Sequence, residues 1–284
     1  MSNKKKVFGI IGFCLVLLAL LVGIILTGDG EGHGSIQETM RDAVLHETNK
    51  ISFFGIKDVN PAFISAVIVT AILLVFAACV RIFAIPRFKY IPGKFQLLIE
   101  QLVGYFDGLA KSNSPHRNGF LGAYVFGAGV YIFVGTIFEL FGLQGITTEG
   151  HSITLPAPLT DINAAIAMGC LSYAVIISGG MAGNGIRGIG KALKDFSLPI
   201  SMSFRLFGAL LSGLLVTELV YHFIQLSFVL PVVVGVVFTL LHALIQTYVL
   251  TLLTALFYGE VSEPHKKEKK KKQKKQKNKN QAVA

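Results

Sequence analysis

The sequence has no tryptophan and few charged residues, since only 15% of its 284 residues are Asp, Glu, Lys or Arg. Soluble domains average about 25% charged residues, so the composition argues against an ordinary cytosolic enzyme. The three cysteines, Cys14, Cys79 and Cys170, lie inside apolar runs, and no CxxC pair occurs. Their odd number and spacing argue against a disulfide scaffold and a zinc site of the usual kind. Because the sequence also has no Walker loop, no G-x-S-x-G and no H-E-x-x-H, we expect no catalytic residue, metal ion or cofactor.

Hydrophobic residues make up 52% of the chain, and the mean hydropathy is +0.63. A helix needs about 20 apolar residues to cross roughly 30 Å of hydrocarbon. Runs of that length cover 7–27, 61–85, 119–143, 160–181, 196–226 and 232–258. The sequence therefore predicts an all-α polytopic membrane protein with five to six membrane helices. The last two runs are longer than a straight crossing needs, so we expect a long tilted helical hairpin joined near 227–231.

The first run follows Lys4, Lys5 and Lys6 and is either a retained membrane helix or a cleaved signal peptide. With the N-terminus inside and six crossings, 22 of the 26 Lys and Arg residues fall on the cytoplasmic side. We therefore expect a multi-pass protein of a bacterial plasma or inner membrane. Both termini are expected to be cytoplasmic if the first helix is retained.

The remaining segments complete the predicted organisation. An N-terminal helix or signal peptide (1–27) precedes an external polar loop (28–60), a membrane channel domain (61–263) and a disordered cytoplasmic tail (264–284). Apolar residues recur at helical spacing over 92–112, which predicts an amphipathic helix at the cytoplasmic interface. The segment 179–190 is expected to be a cytoplasmic loop.

The net charge of +10 comes largely from the tail, which holds ten lysines. It therefore does not indicate a nucleic-acid partner. The tail is either simply solvated or bound to anionic membrane lipid.

Arg205 lies within an apolar run, where an arginine costs about 2.5–3.5 kcal/mol on insertion scales. The acid that follows it in the same run, Glu218, is 13 residues away. That is about 20 Å along a helix and on another face. Ser201, Arg205, Gly208 and Ser212 share one face, and small residues let another helix approach closely in lipid. The stripe indicates either packing inside the bundle or, as we favour, a functional contact with another chain.

Further polar residues occur at membrane depth. Glu139 ends one apolar run, and Asp161 and Asn163 open the next, where Asp161 could also be a helix N-cap. Two i,i+4 pairs, Glu218 with His222 and His242 with Gln246, lie on consecutive helices of the hairpin. Each histidine could be a satisfied packing residue, but the two pairs together favour a polar pathway.

Four segments, in order, resemble subunit a of the F-type ATP synthase, the stator channel beside the rotating c-ring. SMSFRLFGALLSGLL resembles the family's RLFGN-type motif and is the specific match. IPGKFQLLIEQLVGYFDG, PLTDINAAIAMG and LIQTYVLTLLTALFYGEVSEPH resemble three further family segments. The resemblance covers about 60–265.

The resemblance implies a role for several residues. Arg205 matches the arginine that faces the c-ring carboxylate, and Gln246 matches the glutamine opposite it. Glu139, Asp161 and Asn163 match positions that line an external half-channel. Ala209 replaces the asparagine of the motif, and Leu214 stands where an acid or histidine is common, so Glu218 is the candidate substitute one turn later.

The function implied is ion translocation, of protons or sodium ions, through two offset half-channels next to the c-ring. The chain would be a subunit that binds no ATP and is no enzyme by itself. Its expected partners are the c-ring, the subunit b peripheral stalk, the other ATP synthase subunits and membrane lipid. The alternative is a stand-alone secondary transporter, but the sequence shows no internal repeat of the kind such transporters carry.

Overall fold

The structure is a computed structural model that describes residues 50–53, 56–148, 150, 152–222 and 230–264, together with Val22. The structure does not describe several side chains on either side of the connection 223–229, among them those of Glu218 and His222. The predictions for the run 7–27, for most of the external loop and for the Lys-rich tail therefore lie outside the described residues.

Seven α-helices make up most of the described chain. They are α1 Pro61–Cys79, α2 Lys94–Asn113, α3 Gly119–Phe138, α4 Ile162–Asn184, α5 Ile186–Lys194, α6 Ser197–His222 and α7 Leu230–Ser262. A π-helical turn, Val80–Ala84, and a 3-10 turn, Ile85–Arg87, extend α1, and further 3-10 turns cover Glu139–Phe141 and Pro158–Thr160.

Five helices in the described part of the chain are long and apolar enough to cross a membrane, which confirms the all-α polytopic fold. They are Pro61–Arg87, Gly119–Phe141, Ile162–Asn184, Ser197–Val216 and Gly235–Ser262.

Local chemistry fixes where α1 begins. The Asn60 side chain accepts a hydrogen bond from the Ala62 N–H at 2.9 Å, which satisfies one of the free donors of the first turn. Pro61 occupies the first turn, where its missing N–H costs nothing. These signals place the start of the first described crossing directly after the polar segment.

Two short β-hairpins were not predicted from the sequence. β1 (Ile51–Phe53) pairs with β2 (Ile56–Val59), and β3 (Gln144–Ile146) pairs with β4 (Ser152–Thr154), both antiparallel. A bridge between Ile51 and Thr147 joins the hairpins. They lie where α1 begins and α3 ends, which is the side that the Lys and Arg distribution assigns to the exterior.

The central packing unit consists of α3, α4, α6 and α7. Gly169 of α4 is buried, and a Cβ built there would stand 2.9 Å from the Pro199 carbonyl oxygen and against the Ser203 hydroxyl. Glycine therefore allows α4 and α6 to approach backbone to backbone, as small residues do in membrane bundles.

The prediction of a loop over 179–190 was wrong. Helix α4 continues to Asn184, the chain turns at Gly185 with φ +63° and ψ −143°, and α5 follows directly. Glycine adopts this backbone conformation without the steric penalty of a side chain. The abundance of glycine here thus reflects a tight helix–turn–helix corner.

The amphipathic helix is present as α2, two residues later at its start than the segment 92–112. Phe106 and Ala110 are its buried residues, whereas Phe95, Leu98 and Leu102 are exposed within this chain. This exposed apolar side matches a helix that lies against lipid.

Candidate functional site

The arginine stripe occupies the open side of α6. Ser201, Arg205, Gly208 and Ser212 are all exposed, and Arg205 lies near the middle of the crossing Ser197–Val216. Among the described residues, none forms a hydrogen bond or an ion pair with the Arg205 guanidinium. The positive charge is therefore presented outwards at membrane depth, with no counter-charge from the described part of its own bundle.

Helices α6 and α7 form the predicted hairpin, and one contact sets their register. A Cβ built on Gly213 would stand 3.4 Å from His242 Nδ1, so Gly213 and His242 lie side by side. In an antiparallel pair, moving one turn towards the cytoplasmic end places Ala209 beside Gln246. Arg205 then lies about 6 Å further along the axis, at 1.5 Å per residue. The hairpin thus brings Gln246 and Arg205 to neighbouring levels.

Gln246 is buried, with 4% of its surface exposed. Its side-chain oxygen, Oε1, is buried and accepts no hydrogen bond from any residue that the structure describes. A buried polar group without a partner costs about 1–3 kcal/mol, and most such groups in folded proteins have a partner. Gln246 therefore keeps an unused acceptor in the membrane interior, close to the level of the arginine.

His242 lies one turn before Gln246, towards the N-terminus of α7, and is partly exposed. Its ring packs beside Phe238 with a centroid separation of 6.0 Å. The imidazole is therefore placed between Phe238 on its own helix and the backbone of α6 at Gly213.

The acidic and amide residues lie towards the end of the bundle that carries the β-hairpins. Glu139 is partly buried in the 3-10 turn Glu139–Phe141, which packs against α7. Asp161 follows the 3-10 turn Pro158–Thr160, which packs against α1, α3 and α6. Asp161 and Asn163 approach each other, with 3.4 Å between Oδ1 and Nδ2. The structure does not bring Asp161 or Asn163 into hydrogen-bond contact with Arg205, Gln246 or His242.

Asp161 caps α4 with its backbone but not with its side chain. Asp161 occupies the N-cap position of α4, and its carbonyl accepts from the Ala165 N–H at 3.0 Å. Its carboxylate makes no capping hydrogen bond with the helix. The side chain therefore remains available for another role.

Glu218 and His222 lie in the last turns of α6. Their side chains are outside the described part of the structure, so their roles stay predictions.

Sequence reasoning missed two residues that make contacts between helices of the bundle. Gly213 gives His242 its place beside α6, and its only sequence signal is its position next to the small-residue stripe. Ser172 pairs with Tyr124 at 2.8 Å between the hydroxyl oxygens and links α3 to α4. No spacing pattern indicates that second contact, because its partners are 48 residues apart in the chain.

Comparison with known proteins matches these features to one family. The family model described as ATP synthase A chain matches residues 63–259, which includes Arg205 and Gln246. The chain is 26% identical over 231 residues to ATP synthase subunit a of Cereibacter sphaeroides strain ATCC 17025, covering 77% of this chain and 86% of that protein. It is 28% identical over 196 residues to ATP synthase subunit a of Histophilus somni strain 129Pt, covering 59% of this chain and 73% of that protein.

The match extends from the first described crossing to the last turns of α7, and it agrees with the fold and with the motif around Arg205. The resemblance stated from the sequence is therefore confirmed. The chain belongs to the ATP synthase A chain family, the multi-pass, non-catalytic membrane stator subunit of the F-type ATP synthase.

Proposed function

We propose that this chain forms two offset half-channels beside a c-ring and couples ion flow to rotation of that ring. The observation that carries the proposal is the exposed guanidinium of Arg205, which lies on a membrane-crossing helix and pairs with no described residue. An arginine at this depth costs about 2.5–3.5 kcal/mol on insertion scales. A carboxylate from a neighbouring rotor helix supplies the counter-charge that the described residues of this chain do not supply.

The mechanism is electrostatic. A ring carboxylate crosses lipid in its neutral form, with its ion or proton bound. Near Arg205, the positive charge favours the ionised carboxylate and lowers its pKa. The ion therefore leaves into one half-channel, and the carboxylate is reloaded from the other.

Arg205 also acts as a barrier. A guanidinium does not release its proton in a protein, so it interrupts any continuous proton wire between the half-channels. The membrane potential contributes about 2.3 kcal/mol per charge per 100 mV, which biases the direction of ring movement.

Gln246 is proposed as the hydrogen-bonding partner of the arginine region on α7. Its free Oε1 can accept a hydrogen bond from a guanidinium N–H or from a channel water. Such a bond would hold the guanidinium against the hairpin while ring carboxylates pass.

The external half-channel is proposed to begin at Glu139, Asp161 and Asn163 and to continue inwards past His242. Three observations support this route: Glu139 is partly buried, the Asp161 carboxylate makes no capping hydrogen bond and accepts only a long one, of 3.4 Å, from Asn163, and His242 is partly exposed. Glu218 and His222 are proposed to contribute at the far end of α6.

The wider assignment follows from the same proposal. We expect a bacterial plasma or inner membrane location with a cytoplasmic C-terminus, the c-ring and the subunit b stalk as partners, and H⁺ or Na⁺ as the transported ion. The choice of ion depends on the ring carboxylate site rather than on this chain.

The test is Arg205→Ala in the assembled complex, measured in inverted membrane vesicles as respiration-driven ATP synthesis and ATP-driven ion pumping. Both are expected to fall to background. Arg117→Ala is the control, because Arg117 is also exposed but lies on the connection between α2 and α3. Arg205→Lys should not restore coupling, because a lysine in this setting can lose its proton. Ion-driven synthesis at the wild-type rate in Arg205→Ala would reject the proposal.

A further inference from the structure

A cavity of about 670 Å³ opens where the end of α1 turns into α2. Its wall includes three cationic side chains, those of Arg87, Lys89 and Lys94, and all three residues are exposed. None of them forms an ion pair with a described residue. The acid on the next turn, Glu100, accepts a hydrogen bond from Gln96 Nε2 at 2.7 Å instead of pairing with them. Three positive charges therefore line one cavity, and no described residue forms an ion pair with any of them.

The connecting loop is held in place by Gln96 of α2. The Lys89 N–H donates to Gln96 Oε1 at 3.0 Å, and Gln96 Nε2 donates to the Lys89 carbonyl at 2.9 Å. Tyr90 and Ile91, which follow, have relative exposures of 104% and 82%. An exposed aromatic and an exposed aliphatic side chain next to basic residues are typical of a segment that sits at a membrane surface.

A second cavity, of about 730 Å³, lies further along α2. Phe95 lines the first cavity and Leu98 the second, about 4.5 Å apart along the helix axis. Its other walls come from α1, α3 and α7, for example at Phe76, Val130 and Leu244, and its surface is almost wholly apolar. A cavity lined by cations that pair with no described residue thus lies one helical turn from an apolar groove between membrane-crossing helices.

We propose that the two cavities form one binding site for an anionic phospholipid of the cytoplasmic leaflet. The phosphate lies against Arg87, Lys89 and Lys94, and an acyl chain extends into the groove beside Leu98 and Leu102. Charge complementarity selects an anionic headgroup, because each cation near an anionic surface contributes favourably to binding.

The chemistry of the two cavities favours a lipid as the occupant. The first offers three cations that pair with no described residue and suit a phosphate, and the wall of the second is almost wholly apolar and suits an acyl chain.

The experiment uses the whole ATP synthase complex in phosphatidylcholine vesicles that contain a minor fraction of phosphatidylglycerol with a photoactivatable acyl chain. We expect labelling of peptides from α1 and α2 that line the groove, and much weaker labelling from phosphatidylcholine with the same chain. Unlabelled phosphatidylglycerol should compete for the site, whereas inorganic phosphate should not, which separates a lipid from free phosphate. Equal labelling by both lipids would overturn the proposal.

Two sets of variants test the headgroup site and the acyl-chain site separately. Replacing Arg87, Lys89 and Lys94 together by Gln should reduce labelling by roughly tenfold or more. Replacing Arg117, Arg187 and Lys194 by Gln removes the same charge elsewhere and should change labelling little.

A matched pair of variants tests the acyl-chain site. Leu97 and Leu102 are 44% and 41% exposed on the same helix, but of the two only Leu102 lines the groove. Leu102→Trp should displace the label, and Leu97→Trp should not. The labelling of each variant is normalised to the amount of this subunit in the purified complex, so loss of assembly is not mistaken for loss of lipid. Equal losses of labelling in each variant and its control would overturn the site. Labelling that does not depend on headgroup charge would also overturn it, and is expected if another segment fills the groove.

Discussion

His242 lies directly against Gly213, and a Cβ built on that glycine would stand 3.4 Å from the imidazole Nδ1. This distance is an ordinary van der Waals contact, so an alanine fits at residue 213. A valine does not, because its γ-methyl groups extend into the ring. The contact fixes both the register of the hairpin and the position of the imidazole on the proposed external route.

The first prediction concerns this contact. Gly213→Val should move His242 and lower ATP-driven ion pumping several-fold, with an overpacking cost of about 1–3 kcal/mol. Gly213→Ala should pump close to the wild-type rate. Pumping is measured in inverted vesicles and normalised to the amount of assembled complex. If valine and alanine pump equally, the position of the imidazole has no part in conduction.

The second prediction concerns Gln246, because a packing role and a role in the ion path predict different effects when its side chain is replaced. Gln246→Leu removes a buried acceptor without a partner, which should leave the stability of the subunit unchanged or raise it by about 1–3 kcal/mol. Pumping should nevertheless fall strongly if the amide serves Arg205 or the ion path.

The control for Gln246→Leu is Thr251→Val. Thr251 is also buried on α7, but its hydroxyl bonds to the Thr247 carbonyl of the same helix. Thermal inactivation and pumping are measured on the same preparations. Normal pumping in Gln246→Leu would assign the residue to packing alone.

Much of this architecture could be predicted from the sequence, for physical reasons. The length of an apolar run is a local property that decides whether a helix can cross a bilayer, so the five described crossings were predicted near their observed bounds. An arginine inside such a run is costly wherever the helix sits, which is why Arg205 could be selected without a structure.

What could not be predicted depends on contacts between distant segments. The bridge between Ile51 and Thr147 joins two hairpins whose sequences carry no strong strand pattern. The position of His242 beside Gly213 depends on the register of two helices, which hydrophobic periodicity does not specify. At Gly185, a single glycine turn produces a helical corner where the glycine content suggested a loop.

Asn184 provides a prediction about the cytoplasmic end of the bundle. Its Nδ2 donates to the carbonyls of Val261 and Glu263, both at 2.9 Å, and so ties the end of α4 to the end of α7. Asn184→Ala should destabilise the subunit by about 1–2 kcal/mol, because two carbonyls lose their donor.

The control for Asn184→Ala is Lys191→Gln at the same end. Lys191 Nζ lies 3.6 Å from a Glu260 carboxylate oxygen and donates to the Glu260 carbonyl at 2.5 Å, but both side chains are substantially exposed. Its removal should therefore cost at most about 1 kcal/mol. The comparison is made by thermal inactivation of the solubilised complex. A larger loss in Lys191→Gln than in Asn184→Ala would contradict this ranking.

Substitutions at two glycines distinguish an effect on the fold from an effect on the contact with a partner. Nothing in the described structure lies within 4 Å of a Cβ built on Gly208, whereas a Cβ on Gly169 meets the Pro199 carbonyl at 2.9 Å. Gly169→Leu should therefore lower the amount of inserted subunit, because it forces α4 and α6 apart.

Gly208→Leu should leave the amount of inserted subunit unchanged but reduce copurification with the c-ring and lower pumping, because it obstructs the proposed rotor face. Immunoblots of membranes and of the purified complex measure both quantities. Unimpaired ring copurification and pumping in Gly208→Leu would place the rotor elsewhere.

The most direct prediction is disulfide cross-linking between α6 and a ring helix. Ser201 and Ser212 are exposed on the Arg205 side and are about 16 Å apart along the helix axis. In a chain whose native Cys14, Cys79 and Cys170 are replaced by Ser, Ser201→Cys and Ser212→Cys should each cross-link to a cysteine on the ring. Their ring partners should be separated by a similar distance, because both contacts lie along one pair of packed helices.

Ser203→Cys is the internal control for the cross-linking experiment. Ser203 lies two residues from Arg205 on the same helix, but only 5% of its surface is exposed, and its hydroxyl donates to the Pro199 carbonyl at 2.7 Å. It should not cross-link, because it points towards α4 rather than outwards. Cross-linking is measured as a shifted band on non-reducing gels that a thiol reductant reverses. A product from Ser203→Cys equal to those from the exposed positions, or none from Ser201→Cys and Ser212→Cys, would show that the rotor does not face this side of α6.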